Sequence, residues 1–295
     1  MTMIQFLQQM INGLSLGSIY ALIALGYTMV YGIIKLINFA HGDIYMLGAF
    51  TAFYATTFFH LNFFVALIIA MLLCGVLGVL IERIAYKPLR HATRITALIT
   101  AMGVSYVLEY TMQYFAGSDV KTFPTDLLEN TAFSLGGVRI TMMQIYIFVI
   151  TIILMVLLTY IVNKTKMGRA MRAVSVDEDA AKLMGINVDT TISFTFFLGS
   201  CLAGVAGVLV GVYYNSINPL MGMTPGLKAF IAAVFGGIGN IPGAMIGGLF
   251  IGIAETLVTA YGSSLYKDAI VYVILILVLI LKPDGLLGKN VKEKV

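Results

Sequence analysis

Long apolar runs alternate with short polar breaks along the whole chain. The runs cover residues 10–34, 43–59, 61–81, 95–115, 141–162, 191–214, 225–238, 243–260 and 266–282. A membrane-crossing helix needs about 20 predominantly apolar residues to span ~30 Å of hydrocarbon, so nearly all of the chain is predicted to be helical and to lie in a bilayer. The seventh run is the outlier. Its 14 residues rise only about 21 Å at helical pitch, which predicts a half-helix or a re-entrant segment. The expected fold is an all-α polytopic membrane helix bundle with eight or nine spans, with broken or short helices near 36–43 and 225–243.

Charge then orients the runs. Thirty-four residues precede the first charge, Lys35. That uncharged start and the long first run read as a retained span, because a cleaved signal wants a basic start and a short apolar core. Lys35, the segment 83–94 (Arg83, Lys87, Arg90, Arg94), the segment 163–190 (Lys164, Lys166, Arg169, Arg172, Lys182) and the tail (Lys282, Lys289, Lys292, Lys294) hold fourteen basic residues, against three, Lys121, Arg139 and Lys267, on the other side. Basic loops stay cytoplasmic, so the N-terminus is expected outside and the C-terminus in the cytoplasm. That arrangement needs an odd number of crossings and favours counting 225–238 as one. The whole chain, 1–295, is then one transmembrane domain with an outer loop at 116–140, containing Asp119, Pro124, Asp126 and Glu129, and a cytoplasmic loop at 163–190.

Composition narrows the function classes. Of 295 residues 60% are hydrophobic and 11% charged, less than half the charge of an ordinary soluble domain, which excludes a soluble globule and a soluble enzyme domain. The two cysteines, Cys74 and Cys201, are too few for a disulfide scaffold and read as small buried residues. A formal charge of +4 without a basic block gives no nucleic-acid surface. Tyrosines such as Tyr20, Tyr27, Tyr45 and Tyr213 read as interface anchors, and the 17 methionines as adaptable packing.

The loop from Met167, MGRAMRAVSVDEDAAKLMGINVDTTISF, is the most informative polar segment. Ser175 with Glu178 three residues later fits a capping box, and Asp177 and Asp179 suit the positive end of a helix dipole. A short helix over Val176–Met184 follows, ended by Gly185 in a left-handed cap. The plain reading is an ordinary connector. The functional one is a rigid element that passes force to a cytoplasmic partner.

In NFAHGDIY, Asn38–Tyr45, Gly42 is expected to break the helix between two spans. His41 beside Asp43 suggests a proton relay or a metal ligand, but one His and one Asp complete no metal site, so hydrated boundary residues at a structural hinge are preferred. GGIGNIPG, Gly236–Gly243, predicts a tight turn, with Gly243 and Gly247 a small-residue pair for close helix packing. It lacks the Lys-Ser/Thr ending and preceding strand of a phosphate loop, so this chain is not expected to bind ATP. Ionisable residues within spans are functional candidates. Lys228 and Glu255 are expected to neutralise each other across adjacent helices. Glu109 has no obvious cationic partner, which leaves protonation, an aqueous pathway or another subunit. LGS recurs, at Leu16–Ser18 and Leu198–Ser200, each followed three residues later by Ala, a faint sign of an internal repeat.

Asp179-Ala180-Ala181, three residues, then Gly185 resembles the acidic-Ala-Ala-x-x-x-Gly coupling loop of binding-protein-dependent ABC importer permeases, with Asp where Glu is commonest. NGLSLGSIYALIALGYTMVYGIIKLINFAHGDIYMLGAF from Asn12, ERIAYKPLR from Glu82, MGRAMRA from Met167 and KAFIAAVFGGIGNIPGAMIGGLFIGIAE from Lys228 resemble permeases for branched-chain amino acids of the LivH type, over almost the entire chain. The resemblance implies a bacterial inner-membrane permease subunit for leucine, isoleucine and valine. Its implied partners are a second permease of the LivM type, two cytoplasmic ABC ATPases carrying ATP and Mg, and a periplasmic substrate-binding protein. No cofactor is expected on this chain, and the binding protein is expected to hold most of the specificity. Asp177, Glu178, Asp179, Ala180, Ala181 and Gly185 are the candidates for coupling to the ATPases, and Asn38, His41, Gly42, Glu109, Gly236, Gly237 and Glu255 for pathway or hinge. The alternatives are a related permease for urea or short amides, and an ion-coupled secondary transporter relying on Glu109. An intramembrane enzyme has no nucleophile motif to support it.

Overall fold

A computed structural model describes residues 3–90, 92–124, 127 and 132–288. Two helices form its centre. α1 (Met3–Ile34) and α8 (Val188–Tyr214) are buried along most of their length, and the others pack round them. α2 (His41–Thr57) and α3 (Phe63–Ile81) lie against α8, and α10 (Ile241–Tyr261) runs along α1. α4 (Arg94–Ala116), α5 (Met142–Lys164) and α11 (Lys267–Leu281) sit outside with their apolar side chains largely exposed. The short helices α6 (Lys166–Val176) and α7 (Glu178–Leu183) form the connection between α5 and α8, and α9 (Met223–Gly236) fills the space between α1, α2 and α10.

Backbone proximity, made by small residues, holds the centre together. Lipid tails are as apolar as leucine, so helices in a bilayer associate through close packing instead of escape from water. A Cβ on Gly17 of α1 would lie 2.7 Å from the Leu249 Cα of α10, and one on Gly252 of α10 would run into the Gly17 backbone. Gly48 of α2 rests in the same way on Gly204 of α8. Both LGS segments fall on these two central helices.

Seven helices are long and apolar enough to cross a membrane, among the described residues. α2, with 17 residues, and α9, with 14, are shorter. Gly42 near the start of α2 packs on Gly222 and Gly226 at the start of α9, and His41 and Phe230 stack around Tyr27 of α1. Tyr27 lies seven residues before the end of α1, which places the start of α2 about 10 Å inside that end. Both short helices therefore begin within the bundle. The chain break falls at Lys35–Ala40, with Lys35 at φ 55°. Gly42 sits inside the first turn of α2, where it serves the contact with Gly222 instead of breaking the helix.

The elements alternate between two ends. One end gathers the basic segments: Arg90 pairs with Asp189, Gly32, Arg172 and Gly239 meet at one small cavity, and the Leu286 N–H donates to the Phe235 carbonyl. Lys289, Lys292, Lys294 and the Arg94 side chain lie outside the described residues. At the other end the outer loop expected at 116–140 carries a hairpin, β1 (Ala132–Leu135) with β2 (Val138–Thr141). Its turn is Gly136-Gly137, both at positive φ, the geometry that two-residue hairpin turns demand. Gln8 of α1 fixes it, accepting from the Arg139 N–H at 2.8 Å and donating to the Arg139 carbonyl at 2.9 Å. Asp126 and Glu129 lie outside the described residues. A bridge between Lys121 and Ile217 brings the segment before α9 to this end, so 215–222 and α9 together link the two ends.

Candidate functional site

The connection at the basic end is built to be rigid. The Asp177 carboxylate accepts from the Ala180 N–H at 2.9 Å and caps α7. The cap is therefore Asp177 and not Ser175, which lies in α6 and donates to the Arg172 carbonyl at 2.8 Å. The reason is local: the chain turns extended only at Asp177, φ −156°, and a cap must stand outside the helical turn it satisfies. Glu178 and Asp179 occupy the first turn and face Lys182 at 2.9 and 3.6 Å. The bond to Glu178 holds the Lys182 ammonium above its ordinary pKa. Gly185, at φ 79°, ends the helix as expected. The Ile186 N–H reaches the Ala181 carbonyl and the Gly185 N–H that of Lys182, each at 3.0 Å, the paired bonds of a Schellman turn. Ala180 is exposed and Ala181 buried, while Leu183 and Met184 stand 88% and 82% exposed. They form an apolar tip on a capped stub.

A charged cluster that sequence reasoning missed joins this stub to the bundle. Glu82, fully buried, binds Arg90 and accepts from the Ser193 hydroxyl at 2.6 Å. Arg90 and Lys87 both hold Asp189 in the first turn of α8, at 2.5 and 2.6 Å. Glu82 opens a π-helical turn, Glu82–Tyr86, that extends α3. Such turns are rare and recur at functional sites. Tyr86, at its other end, donates to the Asn38 side chain at 3.0 Å. Polar contacts at the two ends of this turn thus tie the start of α8, just after α7, to the break between α1 and α2 through the turn's own backbone.

That break opens on a cavity of about 180 Å³ between α2, α4 and α9. Asp43 and Glu109 both line it and interact through their carboxyl groups, and the Ser105 hydroxyl donates to Asp43 at 2.5 Å. Tyr27, Phe39, Met102, Tyr106, Met223 and Leu227 supply the rest of the side-chain wall. His41 takes no part. It is buried against Gly26 and Tyr27, with ring centroids 4.6 Å apart, so His41 and Asp43 face different neighbours and do not form the relay their adjacency suggests.

A sequence profile described as the permease component of branched-chain amino acid transport systems matches residues 9–279. The chain belongs to this permease family. It is 46% identical over 301 residues to the high-affinity branched-chain amino acid transport system permease protein BraD of Pseudomonas aeruginosa, and 46% identical over 303 residues to LivH of Escherichia coli K12. Each alignment covers 98% of both chains. A likeness in fold alone extends to PsaBC from Streptococcus pneumoniae, solved with a Fab, at a TM-score of 0.50 and 15% identity over 95% of this chain and 92% of that one.

The remaining candidate positions of the permease lie elsewhere. Gly236 and Gly237 make the turn between α9 and α10, where Gly236 packs on Gly243 and Gly237 stands at φ 103°. Glu255 accepts from the Lys228 ammonium at 2.6 Å and from the Tyr20 hydroxyl at 2.9 Å. The same ammonium lies 2.6 Å from Asp268. The pairing expected for Lys228 and Glu255 is present, with a third member from α11. None of these residues lines the cavity at Asp43.

Proposed function

We propose that this chain is one permease half of an ATP-driven ABC importer that moves leucine, isoleucine and valine across a bacterial inner membrane. The observation that carries this reading is full-length similarity to two permeases named for that transport. A capped stub at the basic end of the bundle supports it, because an ATPase partner needs a stiff element to push. In this reading the basic end faces the cytoplasm and the hairpin end the periplasm. A second permease of the LivM type pairs with this one, two ABC ATPases hold ATP and Mg, and a periplasmic protein delivers the amino acid. This chain contributes no ATPase site and no cofactor.

Asp177, Glu178, Asp179, Ala180, Ala181 and Gly185 form the docking stub. Movement of α7 pulls on α8, which Asp189 and Ser193 tie to Glu82 and Arg90, and Tyr86 passes it to Asn38. Asn38, His41 and Gly42 are then the hinge, and Glu109 a wall of the pathway. Gly236, Gly237 and Glu255 keep α9 and α10 in register as that wall shifts. Uptake of labelled leucine, and separately of urea, in cells with and without the gene tests the reading. Gene-dependent leucine uptake that collapses on ATP depletion at a maintained proton gradient is expected. Uptake that survives ATP loss, or that favours urea, overturns it.

A further inference from the structure

We infer that the cavity lined by Asp43, Ser105, Glu109 and Tyr27 is a transit site for the zwitterionic head of an aliphatic amino acid, with the carboxyl pair receiving its ammonium group. The inference rests on the importer reading above and adds to it a place where the permease itself touches substrate. The specificity expected of an external binding protein does not remove the need for one. A zwitterion entering hydrocarbon carries two charges whose burial is expensive unless each finds a partner.

Four independent features meet at this point. First, two acidic side chains share one cavity, and none of the described cations pairs with either. Second, Tyr27 is 5% exposed and lines the cavity, yet its hydroxyl makes no hydrogen bond among the described residues; its ring contacts are to His41 and Phe230. A hydroxyl on a buried ring that opens into a cavity without a protein partner is placed to bond an occupant. Third, α2 and α9 both start here without a side-chain cap, whereas Asn62, Thr93, Thr141, Asn187 and Asn240 cap α3, α4, α5, α8 and α10. The N–H groups of His41, Asp43 and Met223 already donate to the Asn38, Ala40 and Leu220 carbonyls, which leaves those of Gly42 and Gly222, among the described residues, to face an anion, and broken helices inside a bilayer persist only where their freed backbone lines protein or a wet cavity. Gly222, just before α9, lines the cavity and suits the carboxylate end of the same head. Fourth, Phe39, Met102 and Leu227 add an apolar wall, which fits an aliphatic side chain better than a hydrated inorganic ion. A volume of about 180 Å³ falls below the roughly 300–1,000 Å³ of sites for drug-sized ligands, which suits a small solute.

The test reads the site directly in the assembled importer in proteoliposomes. Ser105→Cys is modified with a cationic aminoethyl methanethiosulfonate and with its anionic sulfonatoethyl counterpart, rates being normalised to a free thiol. The unsubstituted chain, whose Cys74 and Cys201 are buried, sets the background. The cationic reagent should react about 10-fold faster or more, the low end of what electrostatic focusing gives in a charged cleft. Millimolar leucine should slow it, and 4-methylpentanoate, the same skeleton without the ammonium, should not. Glu109→Gln should abolish the charge preference, and Glu109→Asp should keep it. Equal rates for the two reagents overturn the inference, as they would if a partner's basic side chain already filled the site. Protection by sodium or potassium with none by leucine overturns it in favour of an inorganic cation. If Ser105→Cys fails to assemble, Met102→Cys on the same wall is read with the same criteria. None of these readouts is uptake, so their failure leaves the importer reading standing, while loss of leucine uptake in the unsubstituted importer would strike that reading first.

Discussion

Replacing Lys228 with methionine should destabilise the bundle by about 3 kcal/mol. The ammonium is buried, 3% exposed, and lies 2.6 Å from both Glu255 and Asp268. Asp268 is 44% exposed and can hydrate when the lysine is gone. Glu255 cannot, since its side chain is 8% exposed and keeps only the Tyr20 hydroxyl. Breaking a buried pair by removing one member costs about 3–5 kcal/mol, and a lone charge at a helix centre costs about 2.5–3.5 kcal/mol on insertion scales. The remaining Tyr20 bond points to the lower part of both ranges. For a chain of this size the midpoint of thermal loss should fall by on the order of 10 °C, read as the folded fraction on size exclusion after heating in detergent at one fixed rate. Lys228→Met combined with Glu255→Gln should recover most of the loss, because the Tyr20 hydroxyl then meets a neutral amide. A single variant as stable as the parent, or a double variant worse than the single, would refute the reasoning.

At Gly185 a Cβ has open space around it, so the cost of substitution is the backbone at φ 79°; Gly185→Val should lower importer-coupled ATP hydrolysis and uptake together while Gly185→Asn, which tolerates that region, keeps both. Gly252→Leu should prevent a stable fold by forcing α10 off α1, whereas Gly103→Ala, with nothing within 4 Å, should leave the purified chain as stable or up to about 1 kcal/mol more so, measured by the same heating assay. Arg90→Lys should weaken the hold on Glu82 and Asp189, since one ammonium does not replace a two-pronged guanidinium, and should reduce leucine uptake several-fold with unchanged amounts of assembled complex on a native gel. Val176→Cys, at a site 88% exposed, should react with an impermeant thiol reagent only from the cytoplasmic side; labelling of intact cells from outside would reverse the topology.

What the sequence made legible follows from the range of each interaction. The shortness of α9 is a matter of counting apolar positions, and the stop at Gly185 needs only one residue free to adopt positive φ, so both are visible locally. The pairing of Lys228 with Glu255 was accessible because helix length and alternation put the two at similar depth. The cavity was not. Asp43 and Glu109 are 66 positions apart, and α2 starts inside the bundle, which changes the depth of every residue after it; a reading by span boundaries sets Asp43 near the water when it is 2% exposed. Glu82 was hidden for a different reason. The cations of its cluster, Arg90 on Glu82 and Lys87 on Asp189, were fully accounted for by the bias of basic residues to one face, so nothing in the pattern asked what they bound. The hairpin at 132–141 was signalled by Gly136-Gly137, but in a chain so apolar the polar loop around it carried no expectation of strands.

The distribution of close backbone contacts decides which parts of the permease can move. α1, α8 and α10 touch through glycines whose replacement would drive atoms into backbone, and packed interiors of that kind shift as blocks and do not deform gradually. α4 is different. It meets the other described helices through α2 and the π-turn after α3 and through little else, and Gly103 at its centre touches nothing. Ser105 and Glu109 both ride on this loosely held helix, while Asp43, Tyr27 and the start of α9 belong to the frame. A displacement of α4 relative to the frame therefore separates the two carboxyl groups and opens the Ser105–Asp43 bond without breaking any glycine contact at the centre. The cluster at Glu82 sits at the foot of the same helix and is tied through Asp189 to the segment that follows α7. In the importer proposed above, force applied at the exposed tip of α7 would therefore reach the α4 wall of the cavity.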